Sequence, residues 1–172
     1  LEARAPRAIA ADAPGSGAPT PVAPAQPTAA DYAQRLQGLV DALDLEQFVL
    51  VGHSLGAITA GHAARPGSPL ASRIGWLLLI SPAAGYGAPG KEEAQQRVRL
   101  QRFATLHNEG VAAMAAKADQ RLLSANASEL ARQWVRWNMG RLHEAGYARA
   151  VELLGGADLL ADLPPAVPVH VA

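Results

Sequence analysis

Cysteine is absent from the 172 residues, which removes disulfides, thiolate nucleophiles and Cys-ligated zinc together. An excess of either charge is missing too. The 15 Lys and Arg face 15 Asp and Glu, so no basic field invites nucleic acid or an anionic lipid surface. The Arg residues are scattered, often beside acidic ones, as on solvated helix faces. No long hydrophobic run occurs: the strongly apolar stretch from Trp76 to Ile80 falls far below the roughly 20 residues that span a bilayer. Nor does a basic-then-apolar secretion signal open the chain. These absences lead to the expectation of a cytoplasmic protein with no nucleic-acid partner and no membrane span. Nothing in the sequence indicates an oligomeric state.

What is present reads as a globular α/β protein. Hydrophobic residues make up 49% and charged residues 17%, a balance that supports a packed core. A chain of this length buries roughly 70% of its unfolded surface. The first thirty residues are rich in Ala and Pro and allow two readings. One is a flexible linker around Thr20 to Pro27; the other makes Arg7 to Ala11 a short strand before the turn-rich run Asp12 to Gly17. From Thr28 the pattern sharpens. Thr28 or Asp31 can cap a helix, and Tyr32, Leu36, Leu39, Val40 and Leu43 recur at helical spacing. Phe48-Val49-Leu50-Val51 and Ile74 to Ile80 are continuous apolar runs, the pattern of parallel strands buried on both faces. Between them a helix is predicted from Ser54 to about Ala64, stopped by Pro66 and Gly67. Helix, strand, helix, strand with short joints implies a parallel sheet.

After Gly85-Tyr86-Gly87 the texture turns Ala-, Gln-, Arg- and Leu-rich, and four helices are predicted near 91–107, 110–123, 127–139 and 143–154. An all-helical insert of this size after a strand reads as a lid or cap. A last apolar run, Val167 to Val171, follows Leu163-Pro164-Pro165. The expected organisation is core sheet over 1–87, helical cap over 88–157 and a return to the sheet over 158–172.

The chemistry sits at Gly52-His53-Ser54-Leu55-Gly56, a G-x-S-x-G pentapeptide placed directly after a buried strand and opening a helix. With 16 Gly in the chain, the pentapeptide alone would arise by chance roughly once in fifteen such sequences, so its placement carries most of the weight. A serine on a sharp strand-to-helix turn stands clear of the sheet, and side chains two residues to either side would collide with neighbouring elements, hence Gly52 and Gly56. Free N–H groups at a helix start favour developing negative charge, and the Leu55 N–H, one residue past the nucleophile, is one oxyanion donor.

These residues resemble the α/β-hydrolase superfamily. The likeness runs through Tyr32-Ala33-x-x-Leu36, the strand and elbow Phe48 to Gly56, and Leu77-Leu78-Leu79-Ile80-Ser81-Pro82. The run Arg7 to Gly17 is similar to that family's strand and "D-x-P-G-x-G" loop, and Val167 to Val171 to the strand that resumes the sheet after the cap. The resemblance is strongest over the middle third. It implies a partial α/β-hydrolase fold with an inserted helical cap, no cofactor and no metal. It also implies acyl-enzyme chemistry on Ser54 with a small-molecule substrate, as in capped small-ester esterases, enol-lactonases and C–C hydrolases. The same likeness puts the second oxyanion donor before Leu1 and the triad Asp and His after residue 172, as in the middle of a longer hydrolase. An acyltransferase, a cofactor-free haloperoxidase or a non-catalytic relative with a degenerate triad shares the same elbow.

Other candidates rank lower. His53 neighbours Ser54, but adjacent residues at an elbow point in different directions. His170 is expected on the sheet or in the core, and His62, His107 and His143 stand at no ligand spacing. Asp12 precedes the serine in a turn, and Asp158 belongs to the helix leading back to the sheet. For the substrate pocket the expectation names Ser81 and Pro82 at a strand's carboxyl end and Tyr86 at the core–cap joint. Trp134 and Trp137 form a stripe with Leu130, suited either to packing the cap on itself or to lining an apolar pocket.

Overall fold

The computed structural model describes residues 7–18 and 20–172. Phe48–His53 forms β1, Ile74–Ile80 β2 and Val169–Val171 β3, three parallel strands in the spatial order β1-β2-β3. Leu50 lies opposite Leu77, Gly52 opposite Leu79 and His53 opposite Ile80. The third strand joins through Leu77–Val169 and Leu79–Val171, so the final apolar run does rejoin the sheet.

One face of this sheet makes the core. Leu50, Ile74, Leu77 and Leu79 are buried there against Ala57, Ile58, Ala60 and Ala63 of helix α2 (Gly56–Ala64). Helix α1 (Ala29–Ala42) adds Tyr32 and Val40. The small alanines let α2 lie close to the strands, which the elbow requires. Asp31 secures the start of α1: its carboxylate accepts from the Thr28 N–H and hydroxyl, both at 2.7 Å. Those bonds hold the Asp31 carboxyl below its usual range. Burial without a partner pushes the Tyr32 hydroxyl up to about 12 against a smaller opposing effect of Arg149. Leu77 is completely buried between β1 and β3. Leu77→Ala is therefore expected to cost about 3 kcal/mol, lowering the urea midpoint of the full-length protein at unchanged slope.

The opposite sheet face corrects one expectation. Continuous apolar runs pointed to burial on both faces, yet Val49, Val51 and Trp76 are 62%, 52% and 49% exposed. Alternate residues of a strand point to opposite sides, and α1 and α2 both pack on the side of Leu50 and Leu77. The predicted strand at Arg7 to Ala11 is also corrected. Those residues are exposed and form no strand. Their one large apolar side chain, Ile9, stays 43% exposed, so no packing supports a ladder.

The helical segment between β2 and β3 comprises α3 (Glu92–Ala116), α4 (Ala118–Leu122), α5 (Glu129–Gly140) and α6 (Glu144–Gly156). The break expected at Gly110 appears as a kink inside α3, where that glycine has φ 72°. Met114, Tyr147 and Val151 form a small second core with Phe103, Leu106 and Leu142 packed on it. Buried Asp119 of α4 accepts from the Arg136 guanidinium at 2.8 Å, and Arg132 stands 3.6 Å from the same oxygen. The segment's two ends are zipped together. Tyr86 and Gly87 donate backbone bonds to Leu154 and Ala157, and Leu159 donates to Ala84. Gly85 has φ 82°, and a Cβ there would run into the Ala157 carbonyl.

Candidate active site

Strand β1 delivers its last residue, His53, to the carboxyl edge of the sheet, and the chain then turns at Ser54 into α2. Ser54 is exposed and has φ 50°, a left-handed conformation that L residues other than Asn and Asp seldom adopt. Its backbone is held on both sides: the Ser54 N–H donates to the Ile80 carbonyl at 3.0 Å, and its own carbonyl accepts from Ala57 and Ala83, each at 3.1 Å. A side chain free in solvent on a backbone locked at every polar atom is the geometry a nucleophile needs. Among the described residues the Leu55 N–H, at the first turn of α2, donates to no acceptor. That N–H and the helix start favour a negative charge beside Ser54.

Gly52 is explained by space. A Cβ there would stand 2.7 Å from the Ala60 Cβ and 2.8 Å from the Ala57 Cα and the Gly56 carbonyl oxygen. Gly56 is not explained in that way, because a Cβ on it would meet nothing within 4 Å. Its position on the exposed side of the α2 start turns it away from the sheet, so the expected collision is corrected for this residue. His53 is exposed, on the open sheet face with Val51.

The pocket candidates divide into two groups. Ser81 and Pro82 follow β2 directly and lie beside the elbow, tied to it through the Ala83–Ser54 bond. Ser81 is exposed, with φ 42°. Tyr86 stands at the joint where the helical segment leaves the sheet. Trp134 and Trp137 lie on α5, 58% and 54% exposed, which overturns the reading that they pack the helices together. Arg132 and Arg136 on the inner side of α5 do that work through Asp119. The two rings meet edge to face with centroids 5.2 Å apart, and the Arg141 guanidinium lies 4.7 Å from the Trp137 ring centre. With Leu130 and Gln133 they line an open groove of about 330 Å³.

The sequence profile of the Alpha/beta hydrolase family matches residues 1–171. The chain belongs to the alpha/beta hydrolase family. Among solved structures it is similar to an enol-lactonase from Burkholderia xenovorans LB400, at 26% identity and a TM-score of 0.75. That match covers 93% of this chain and 59% of the enol-lactonase. A thermophilic esterase from Thermogutta terrifontis is 25% identical with a TM-score of 0.73, over 93% of this chain and 58% of the esterase. MenH from S. aureus shares the fold at 20% identity and a TM-score of 0.74, over 93% and 62% of the two chains. The chain thus spans about three-fifths of the length of these structures. A search of curated proteins finds no match.

Other polar residues of this alpha/beta hydrolase are committed elsewhere. Asp12 faces Arg141 at 3.4 Å, and Asp158 caps the turn after α6 by accepting from the Leu160 N–H. His143 donates from Nε2 to the Gly17 carbonyl at 2.8 Å, and its own N–H donates to the Gly15 carbonyl at 3.2 Å. These bonds fasten the Asp12–Gly17 loop to the α5–α6 joint. His170 is exposed on β3. One pair escaped the sequence reading: His62 Nδ1 lies 3.0 Å from the Asp162 carboxylate. One hundred residues separate the partners, and no local pattern announces such a contact. They line a cavity of about 430 Å³ with Gln95, Arg99 and Glu152, and none of its lining residues belongs to the elbow. Among the described residues no helix is long and apolar enough to cross a membrane.

Proposed function

We propose that this chain carries the nucleophile of a serine hydrolase that cleaves an ester, lactone or activated C–C bond of a small, partly apolar substrate. The observation that carries the reading is Ser54 itself: exposed, at φ 50°, between a strand's carboxyl end and the start of a helix. Ser54 Oγ attacks the substrate carbonyl carbon and passes its proton to a histidine base. The carbonyl π electrons move onto oxygen, and the Leu55 N–H bonds that oxyanion. Collapse breaks the bond to the leaving group, which takes the proton from that histidine, and leaves an acyl-enzyme. Water, giving a proton to the same histidine, attacks the acyl carbon, and the proton returns to Ser54 Oγ as the acid is released.

The base and its aspartate partner are assigned to polypeptide outside these 172 residues. His62 and His143, the partnered histidines here, are engaged with Asp162 and Gly17 rather than with Ser54. The helical segment over 88–157 is assigned the part of a cap, with Ser81 and Pro82 at the pocket floor and Tyr86 at the joint. The Trp134–Trp137 face would receive the apolar part of the substrate. The enol-lactonase and esterase likenesses, at 26% and 25% identity, support this substrate class.

Incubating the full-length protein with a fluorophosphonate probe tests the assignment. Covalent labelling is expected on Ser54 and is expected to vanish in Ser54→Ala. Labelling that survives that substitution sinks the reading.

A further inference from the structure

We propose that Ser81 is a positioning residue for the elbow, and that its left-handed backbone turns the chain so that residues 80–83 clamp Ser54. The proposal rests on Ser54 being the nucleophile. Among the described residues three besides glycine have positive φ: Asp44 at 50°, Ser54 at 50° and Ser81 at 42°. Asp44 closes α1 with a bond from its N–H to Asp41, and aspartate tolerates this conformation. Ser54 and Ser81 have no such excuse. They stand on neighbouring strands at the same level, since His53 and Ile80, one residue earlier on each, form the last pair of the β1–β2 ladder.

The hydrogen bonds show what the second turn does. Ile80 offers its carbonyl to the Ser54 N–H, and three residues later the Ala83 N–H returns to the Ser54 carbonyl. Both peptide groups of Ser54 are thereby tied to one short stretch of the next strand's exit. For Ala83 to come back, the chain must leave the strand direction between those two contacts, and Ser81 is where it does so. Its own N–H is fixed to the Ala172 carbonyl at 2.7 Å, so the residue is anchored on the β3 side while it bends on the β1 side. Pro82 ends the ladder, having no N–H to donate, and narrows the angles open to the residue before it. A positive φ before proline is thus unfavourable in itself and persists because the bonds on either side hold it. The strain at Ser81 is coupled to the strain at Ser54 through two peptide bonds' worth of hydrogen bonding.

The consequence is specific to backbone conformation rather than to the Ser81 hydroxyl. Glycine accepts positive φ freely, whereas a β-branched residue resists it. The test measures the second-order rate of fluorophosphonate labelling of the full-length protein, well below its unfolding temperature, for Ser81→Gly and Ser81→Val. Ser81→Val is expected to label about 10- to 100-fold more slowly than wild type, the scale of a misplacement near 1 Å. Ser81→Gly is expected to label at least tenfold faster than Ser81→Val, and so is Ser81→Asn, which is as bulky as valine but tolerates positive φ. An Asn variant as slow as the Val variant would assign the effect to bulk at the pocket floor and overturn the proposal. The pH midpoint of labelling should be the same in all, because the base is untouched. Where valine prevents folding, Ser81→Thr replaces it, keeping the hydroxyl while adding the β-branch, and slow labelling is again expected. Equal rates for glycine and the β-branched variants overturn the proposal, as does a Thr variant as fast as wild type. Failure of the nucleophile reading looks different: wild type itself stays unlabelled, or Ser54→Ala keeps its label.

Discussion

Replacing Ser54 by alanine is expected to lower turnover of an activated small ester by on the order of 10⁶-fold in the full-length protein, with its stability unchanged. In the proposed mechanism the loss is large because the covalent route runs through Ser54; oxyanion binding and substrate binding alone leave only a residual rate. Stability should hold because alanine keeps the Cβ and hence the same backbone strain at φ 50°. Ser54→Gly separates the two effects. It should be as inactive as the alanine variant yet more stable than it by about 1 kcal/mol, since glycine adopts positive φ without the steric cost. That gain is a net one, because glycine also loses more chain entropy on folding. The result would mark position 54 as a place where stability is given up for function. Ester turnover and urea unfolding of both variants decide it. An alanine variant with appreciable turnover removes Ser54 from the chemistry, and a glycine variant no more stable than alanine removes the strain argument.

How much of this was legible beforehand follows from the range of the interactions involved. The elbow could be read because its requirements are local: a strand's apolar run, a glycine, a serine and a helix start within nine residues of sequence. Strand β2 was legible over its full length for the same reason, and α1 announced itself through Thr28 and Asp31. Burial was not legible at the same level. Val49 and Leu50 are equally apolar in sequence, and which of them meets α2 depends on where distant elements pack. The Trp134–Trp137 stripe is a similar case, since helical spacing fixes a face but not what that face touches. The positive φ of Ser81 left no sequence signal at all. Serine is a poor candidate for that conformation, and the bonds that enforce it come from Ser54 and Ala172, 27 and 91 residues away in the numbering of the chain. His62 and Asp162 were hidden by separation alone.

Gly52 is the tightly enclosed glycine of the elbow, and Gly52→Ala is expected to destabilise the full-length protein by about 3 kcal/mol while slowing Ser54 labelling at least tenfold. One methyl group is enough because there is no room for it to relax into. Its nearest neighbours would be the Ala60 Cβ at 2.7 Å and the Ala57 Cα and Gly56 carbonyl oxygen at 2.8 Å, all closer than real Cβ contacts. Two of these are backbone atoms of the first turn of α2, so no side-chain rotation clears the clash; the helix itself must lift from the strand. Overpacking of a rigid core costs about 1–3 kcal/mol, and the upper end applies because Ala57 and Ala60 are themselves almost fully buried. Lifting α2 carries the Leu55 N–H away from the position proposed for the oxyanion and pulls the Ala57 N–H from the Ser54 carbonyl, which couples stability to the proposed reactivity. Gly56→Ala is the comparison that makes the argument sharp. Its Cβ would enter open space, and alanine is a better helix former than glycine, so this variant should be as stable as wild type or slightly more so. Urea unfolding of the pair measures the difference directly. Equal destabilisation at positions 52 and 56 would mean that the motif's two glycines serve one shared purpose, contrary to the packing seen at each.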